Sequence, residues 1–278
     1  ITINKDTLKD ADFKALDKAS KGFLKNSISS HLKDEGSSLL LPKVNGIEAE
    51  SIMMVKALNA DAPLYKWLGS LKSITKQANK LKAKDISLLL SSSLPEGKDI
   101  FWMIENSAKT IESNAYIFTE TKNKTVKNPT LKKLVIYGND FSGANLKKAK
   151  DSAKKGFAIG EGVNTAKYLG DLPANHATPK IIEKKVKAMT KDFPNLKVKS
   201  FNEKDLAKMG MRSYLSVSKG SDEPPRMMVI EYKGGKATEK PIALVGKGIT
   251  FDTGGVSLKP PQGMDEMKWD MCGAATVF

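Results

Sequence analysis

Apolar positions recur at three- and four-residue steps along Leu64–Leu81, where Leu64, Trp67, Leu68, Leu71, Ile74 and Ala78 share a face and Pro63 precedes the first turn. That period predicts an amphipathic helix. Phe101–Tyr116 repeats it, and Ala49–Leu58 reads as a further helix-like run. Short apolar runs predict strands at Ser38–Val44 (ending at Pro42), Ile86–Leu90, Ala115–Thr119 and Leu134–Tyr137, and residues 1–30 read as partly helical. Asn145–Leu169 is a long helical stretch with lysines on one side, stopped by Gly170 and Pro173. Beyond it, Ile181–Met189 reads as a helix, Lys197–Phe201 as a strand, and Asn202 as the cap of a helix through Met209. Met227–Tyr232 and Ile242–Val245 are nearly all apolar, as strands buried on both faces should be.

Strands alternating with helices define an α/β chain. The expected organisation is an amino-terminal α/β sandwich over residues 1–143, a connecting helix over 144–172, and a second α/β domain over 173–278. Composition changes this little. A chain of 278 residues, 40% hydrophobic and 28% charged, has enough apolar side chains for a packed core, so wholesale disorder is excluded. No apolar run approaches the roughly 18–20 residues of a membrane helix. One cysteine, Cys272, rules out an internal disulfide framework. No signal-peptide pattern opens the sequence, and a cytoplasmic location is expected.

The net charge of +15 raises nucleic acid as a partner. Only Arg212 and Arg226 are arginines, however, and the lysines are dispersed at helical spacings. Arginine is the usual side chain for specific phosphate and base contacts, so this charge is better explained as a solvated surface.

Candidate chemistry gathers in Val245-Gly-Lys-Gly-Ile-Thr-Phe-Asp-Thr-Gly-Gly-Val-Ser-Leu-Lys-Pro and Met264-Asp-Glu-Met-Lys-Trp-Asp-Met-Cys-Gly-Ala-Ala-Thr. Lys247 follows a predicted strand, at the edge where open α/β sheets bind ligands. Asp252 and Asp270 could bind divalent ions, and Lys247 and Lys259 could serve as a neutral ligand or a charge stabiliser. By residue type alone, a surface loop whose lysines and aspartates pair or face water explains the stretch better than a metal site does. A P-loop is excluded, because Pro241 and Gly248 stand where it needs Gly and Ser or Thr, and no Gly-x-Gly-x-x-Gly follows a strand. His176, Cys272 and Trp269 read as structural, the last as core.

The spacing Lys247, Asp252-Thr-Gly-Gly, Lys259-Pro, Met267-x-Trp-Asp270-Met-x-Gly-Ala-Ala resembles the signature region of the leucine aminopeptidase (cytosol aminopeptidase) family. Asn164-Thr-Ala-Lys-Tyr-Leu and Leu172-Pro-Ala-Asn-His-Ala-Thr-Pro resemble the opening of its catalytic domain. The resemblance implies a metalloprotease of the exopeptidase type, a hydrolase that releases leucine and other apolar amino-terminal residues from peptides in peptide catabolism. Its fold would be a macro-like amino-terminal domain joined by a helix to an α/β metallopeptidase domain.

By the same resemblance, Lys247, Asp252 and Asp270 are metal ligands, with Asp252 bridging two divalent ions (Zn, Mn or Mg). Lys259 is the catalytic and substrate-binding lysine, and Met267 lines the substrate pocket. The family's second motif, Asn-Thr-Asp-Ala-Glu-Gly-Arg, which would finish both metal sites and hold bicarbonate, does not occur in this sequence. The chain also closes on the apolar run Gly-Ala-Ala-Thr-Val-Phe. It is therefore expected to be the front part of a longer protein that forms a homohexamer, with no turnover from these residues alone. The alternative to an enzyme is a DNA-binding, partner-binding or scaffold role. Nucleotide binding by the amino-terminal domain is a third, weakened by the lack of a glycine-rich phosphate loop.

Overall fold

The computed structural model describes residues 1–4, 7–90, 94–123, 130–137, 141–236 and 238–278. They divide into two compact units, residues 1–119 with 123–161, and residues 120–122 with 162–278. Mixed α/β structure runs through both, as the alternating pattern implied.

The first unit begins with β1 (Thr2–Ile3), α1 (Ala11–Ala19) and α2 (Phe23–His31). The Asp10 side chain accepts from the amides of Asp12 and Phe13, satisfying two of the free N–H groups that open α1. β2 (Ser38–Pro42) and β3 (Ser51–Lys56) follow, giving a sheet of order β1-β3-β2 with β3 central. The Ala49–Leu58 run is thus a strand, not the helix its local pattern predicted. Its Ile52-Met-Met-Val55 core has no polar face of helical period, and two strands supply its hydrogen bonds, β1 far back in the chain and β2 just before it. Ile3, Phe13, Leu24, Leu32, Val44, Ile52 and Met54 bury together around this sheet.

α3 (Leu64–Leu81) forms over the predicted residues, and Lys82 ends it in the left-handed region at φ 54°. β4 (Asp85–Leu89), α4 (Ile100–Ala115) and β5 (Lys133–Tyr137) then make a parallel pair with a helix in the crossover. Asp99 caps α4 by accepting from the Trp102 amide at 2.7 Å. Trp67, Leu71, Leu88, Leu90, Met103, Ile104, Ile111 and Ala149 form the second core. The predicted strand at Ala115–Thr119 does not form among the described residues: Ala115 closes α4, and residues 116–119 carry no strand.

α5 (Gly143–Asp171) is the long helix that the lysine-edged stretch implied, and the boundary between the two units falls within its residues. In the second unit, Thr178 caps α6 (Pro179–Met189), with Pro179 in the first turn where its missing N–H costs nothing. β6 (Leu196–Phe201) precedes α7 (Glu203–Lys208), which opens on a reciprocal cap between Asn202 and Asp205. After α8 (Arg212–Ser218), β7 (Met227–Tyr232) pairs antiparallel with β6. Glu183 of α6 accepts from Arg226 at 2.6 Å and from Lys187 at 2.5 Å. The Tyr168 hydroxyl donates to Glu120, and Lys185 donates to Tyr168.

Two strand expectations change here. β7 is a real strand, but Val229 and Tyr232 are exposed, so it is not buried on both faces. Ile242–Val245 is no strand at all; Ile242 is 90% and Val245 94% exposed. Among the described residues the β6–β7 sheet has two strands, and these apolar side chains are left exposed.

Candidate active site

The segment from Gly246 to α9 (Cys272–Val277) contains little regular structure, yet it gathers the predicted residues. Asp252 starts a tight loop. Its Oδ1 accepts from the Gly254 amide at 2.8 Å, and the Lys259 amide donates to the Thr253 carbonyl at 2.9 Å. Gly254 sits at φ +88°, where a Cβ would meet the Ser257 carbonyl oxygen at 2.4 Å. Only glycine fits there, both by backbone region and by space. The loop returns Lys259 to Asp252, with Nζ 2.8 Å from Oδ2.

Gly263, at φ 77°, opens a 3-10 stretch over Met264–Trp269, and Asp270 ends it by donating its amide to the Met267 carbonyl. One turn therefore holds both Met267 and Asp270. Lys259 Nζ lies 3.2 Å from Met267 Sδ, and Lys247 Nζ donates to Asp270 Oδ1 at 2.8 Å. Asp270 also lies within hydrogen-bonding reach of the Asp252 carboxyl, which joins the two pairs into one cluster. Lys247, Asp252, Lys259, Met267 and Asp270 are all in it.

The electrostatics follow from these contacts. The Lys259 hydrogen bond, then the Gly254 amide, hold the Asp252 carboxyl below its ordinary pKa. Asp270 raises Lys247 above the usual lysine value, chiefly by accepting its hydrogen bond. Lys247 must therefore lose a proton before its nitrogen could bind an ion.

The donor set fits part of a divalent-ion site. Asp270 is mostly buried, yet among the described residues its Oδ2 has no hydrogen-bond partner. A buried carboxylate oxygen without a partner is costly and invites a cation. Asp252 supplies a second carboxylate beside it. Among the described residues no group of three or more His, Cys, Asp or Glu side chains converges, so two carboxylates and one lysine are what this cluster offers.

Some features escaped the sequence. Lys247 does not sit at the end of a sheet strand, because residues 242–245 join no sheet. Trp269 is 47% exposed and not a core residue. His176 is exposed in a 3-10 turn, and Cys272 is half-buried. The contact of Gly246 with Gly273 was invisible as a pair, since no local pattern signals a contact across 27 positions.

Residues 164–278 match the family described as "Cytosol aminopeptidase family, catalytic domain". The "Probable cytosol aminopeptidase" of Pseudomonas fluorescens is 40% identical over 247 residues, 87% of this chain and 49% of that protein. The "Cytosol aminopeptidase" of Pseudomonas aeruginosa is 36% identical, over 96% of this chain and 54% of its own length. The chain belongs to the cytosol aminopeptidase family, and it spans about half the length of the curated relatives it matches.

Two solved structures share the fold. A tomato leucine aminopeptidase mutant superposes with a TM-score of 0.74 at 22% identity, covering 96% of this chain and 50% of that one. A bottromycin maturation enzyme in complex with Mn gives a TM-score of 0.69 at 22% identity, covering 91% and 50%.

Proposed function

We propose that this chain carries part of the active site of a metal-dependent aminopeptidase that releases apolar amino-terminal residues, leucine foremost, from peptides. Asp252, Asp270 and a deprotonated Lys247 would hold divalent ions. A bound ion of this kind lowers the pKa of water and polarises a carbonyl. Mn is the first ion to try, because a fold neighbour is a complex with Mn; Zn and Mg are the others.

The remaining work falls to the protein's own groups. Lys259 brings a positive charge to the cluster and spends its donors on Asp252 and on Met267 Sδ. A thioether sulfur is a weak acceptor, so a peptide carbonyl can replace it at little cost, whereas the carboxylate contact is strong. Lys259 would then meet the oxygen on which charge develops. Met267, on the same turn as Asp270, would line the pocket for the first side chain. Bicarbonate, a homohexamer and a cytosolic setting belong to the same proposal for the whole protein.

One observation carries it: the unpartnered, buried Asp270 Oδ2 beside Asp252. The test is Mn²⁺ titration of the protein followed by electron paramagnetic resonance, paired with a leucine-anilide assay with and without chelator. Mn²⁺ binding that disappears in both Asp252→Asn and Asp270→Asn is expected. Binding unchanged in both variants overturns the assignment. For a polypeptide of these 278 residues alone, binding without turnover is expected.

A further inference from the structure

Gly246 and Gly273 meet with no room for a side chain on either. A Cβ on Gly246 would lie 2.4 Å from the Gly273 carbonyl oxygen and 2.6 Å from Ala274 Cα. A Cβ on Gly273 would lie 2.9 Å from the Lys247 nitrogen and 3.1 Å from its carbonyl oxygen. Across the same contact the Ala274 amide donates to the Lys247 carbonyl at 2.8 Å. Gly248 extends the seam, its added Cβ meeting the Ala274 methyl at 3.2 Å. The backbone on either side of Lys247 thus lies directly against α9.

This seam sits between the two ends of an ion pair. Lys247 is on one side of it, and Asp270, one turn ahead of Gly273, is on the other. No strand holds residues 246–248, so sheet hydrogen bonds do not set the position of Lys247. Its side chain is 60% exposed, so packing does not set it either. What remains is the backbone contact.

We infer that Gly246 and Gly273 are positioning residues, whose mutual approach sets the separation of Lys247 from Asp270 and hence the geometry of that side of the ion site. The second half of this inference rests on the function proposed above; the first half stands on the ion pair alone. A methyl group inserted into the seam pushes the Lys247 backbone away from α9 and lengthens the pair.

The experiment uses Gly273→Ala with two readouts. The first needs no metal: the acylation rate of Lys247 relative to that of Lys268, read by peptide mass spectrometry. Release from Asp270 should raise it by about two- to fivefold, the range for an exposed ion pair, and bring it to the rate in Asp270→Asn. The second is Mn²⁺ affinity, expected to weaken by about 10–100-fold, as when the group that orients a ligand is lost. Ala275→Gly loosens α9 outside the seam; it should lower the melting temperature and move neither readout.

If Gly273→Ala fails to fold, Gly248→Ala is scored in its place. Its effects should be smaller and of the same sign, and Ala274→Gly in the same chain should reverse them by giving the methyl room. A wild-type Lys247 rate in Gly273→Ala, or no rescue by Ala274→Gly, overturns the positioning role. Wild-type protein that takes up no Mn²⁺, while the Lys247 rate still responds, overturns the ion site and supports the seam as the device that sets the pair.

Discussion

The amino-terminal unit and the segment from Ile242 to Phe278 hold their shapes by different means. In the first, two clusters of buried apolar side chains pack around paired strands, from Phe13 and Met54 to Trp67 and Leu88. Burial on that scale tolerates small errors, because the hydrophobic effect is non-directional and follows area. In the second, Ile242, Leu244, Val245 and Val256 are exposed, and the chain is shaped by glycine contacts and side chain–backbone hydrogen bonds around Asp252 and Lys259. Such contacts are directional and fail with small displacements. The titratable groups gather where geometry, not burial, sets the structure.

The contrast can be broken most severely at Asp252, which touches both the Gly254 amide and Lys259. In the whole aminopeptidase proposed above, Asp252→Ala should abolish Mn²⁺ uptake and chelator-sensitive peptidase activity together; survival of either one separates the ion from the reaction. Lys259→Ala should spare Mn²⁺ binding and, in that whole protein, cut turnover by about 10²–10³, the usual loss for one oxyanion stabiliser. An emptied ion site in that variant would reassign Lys259 as a ligand or its support.

Leu88→Ala moves the attack to the amino-terminal core, where Leu88 is buried. It should cost about 2–5 kcal/mol in denaturant unfolding and leave Mn²⁺ affinity unchanged. A parallel loss of Mn²⁺ affinity would show that the site depends on that core.

Acid offers a gentler probe of the second unit outside the loop. Lys187, with Ser200 and Arg226, pulls the Glu183 carboxyl from 4.5 down to about 2 against the opposing effect of burial. The stabilisation is complete above 4.5 and fades as pH falls toward 2, because the unfolded state takes up the proton first. Glu183→Gln should remove on the order of 1–3 kcal/mol at neutral pH and flatten the acid limb of the stability curve. An unaltered acid limb would remove Glu183 from the acid response. Ile242→Ser should do least, within about 0.5 kcal/mol, because its side chain already faces water. A large loss there would mean that residues 242–245 are covered in solution.

Local pattern carried much of the fold. α3 could be read from apolar spacing and Pro63, and α6 from the run Ile181–Met189, since a helix satisfies its hydrogen bonds within its own residues. Strands were harder, because their partners lie elsewhere in the chain. Ala49–Leu58 looked helical until β1 and β2 flanked it, and Ile242–Val245 looked like a buried strand yet joins no sheet among the described residues. Within the site, the five candidate residues were legible from motif spacing, whereas their contacts were not.

The sequence by itself determined the α/β alternation, the apolar spacing of the long helix α3, the Asn202 cap, the kinship with aminopeptidases and the identity of the candidate residues. All of these are encoded in neighbouring positions or in a motif of fixed spacing. Only the tertiary structure decided that Lys247 pairs with Asp270 and Lys259 with Asp252, that Asp270 keeps an unpartnered oxygen, and that Gly246 lies against Gly273. Most of these contacts join residues well apart in the chain, and a contact of that kind depends on how the intervening backbone turns, which no local period records.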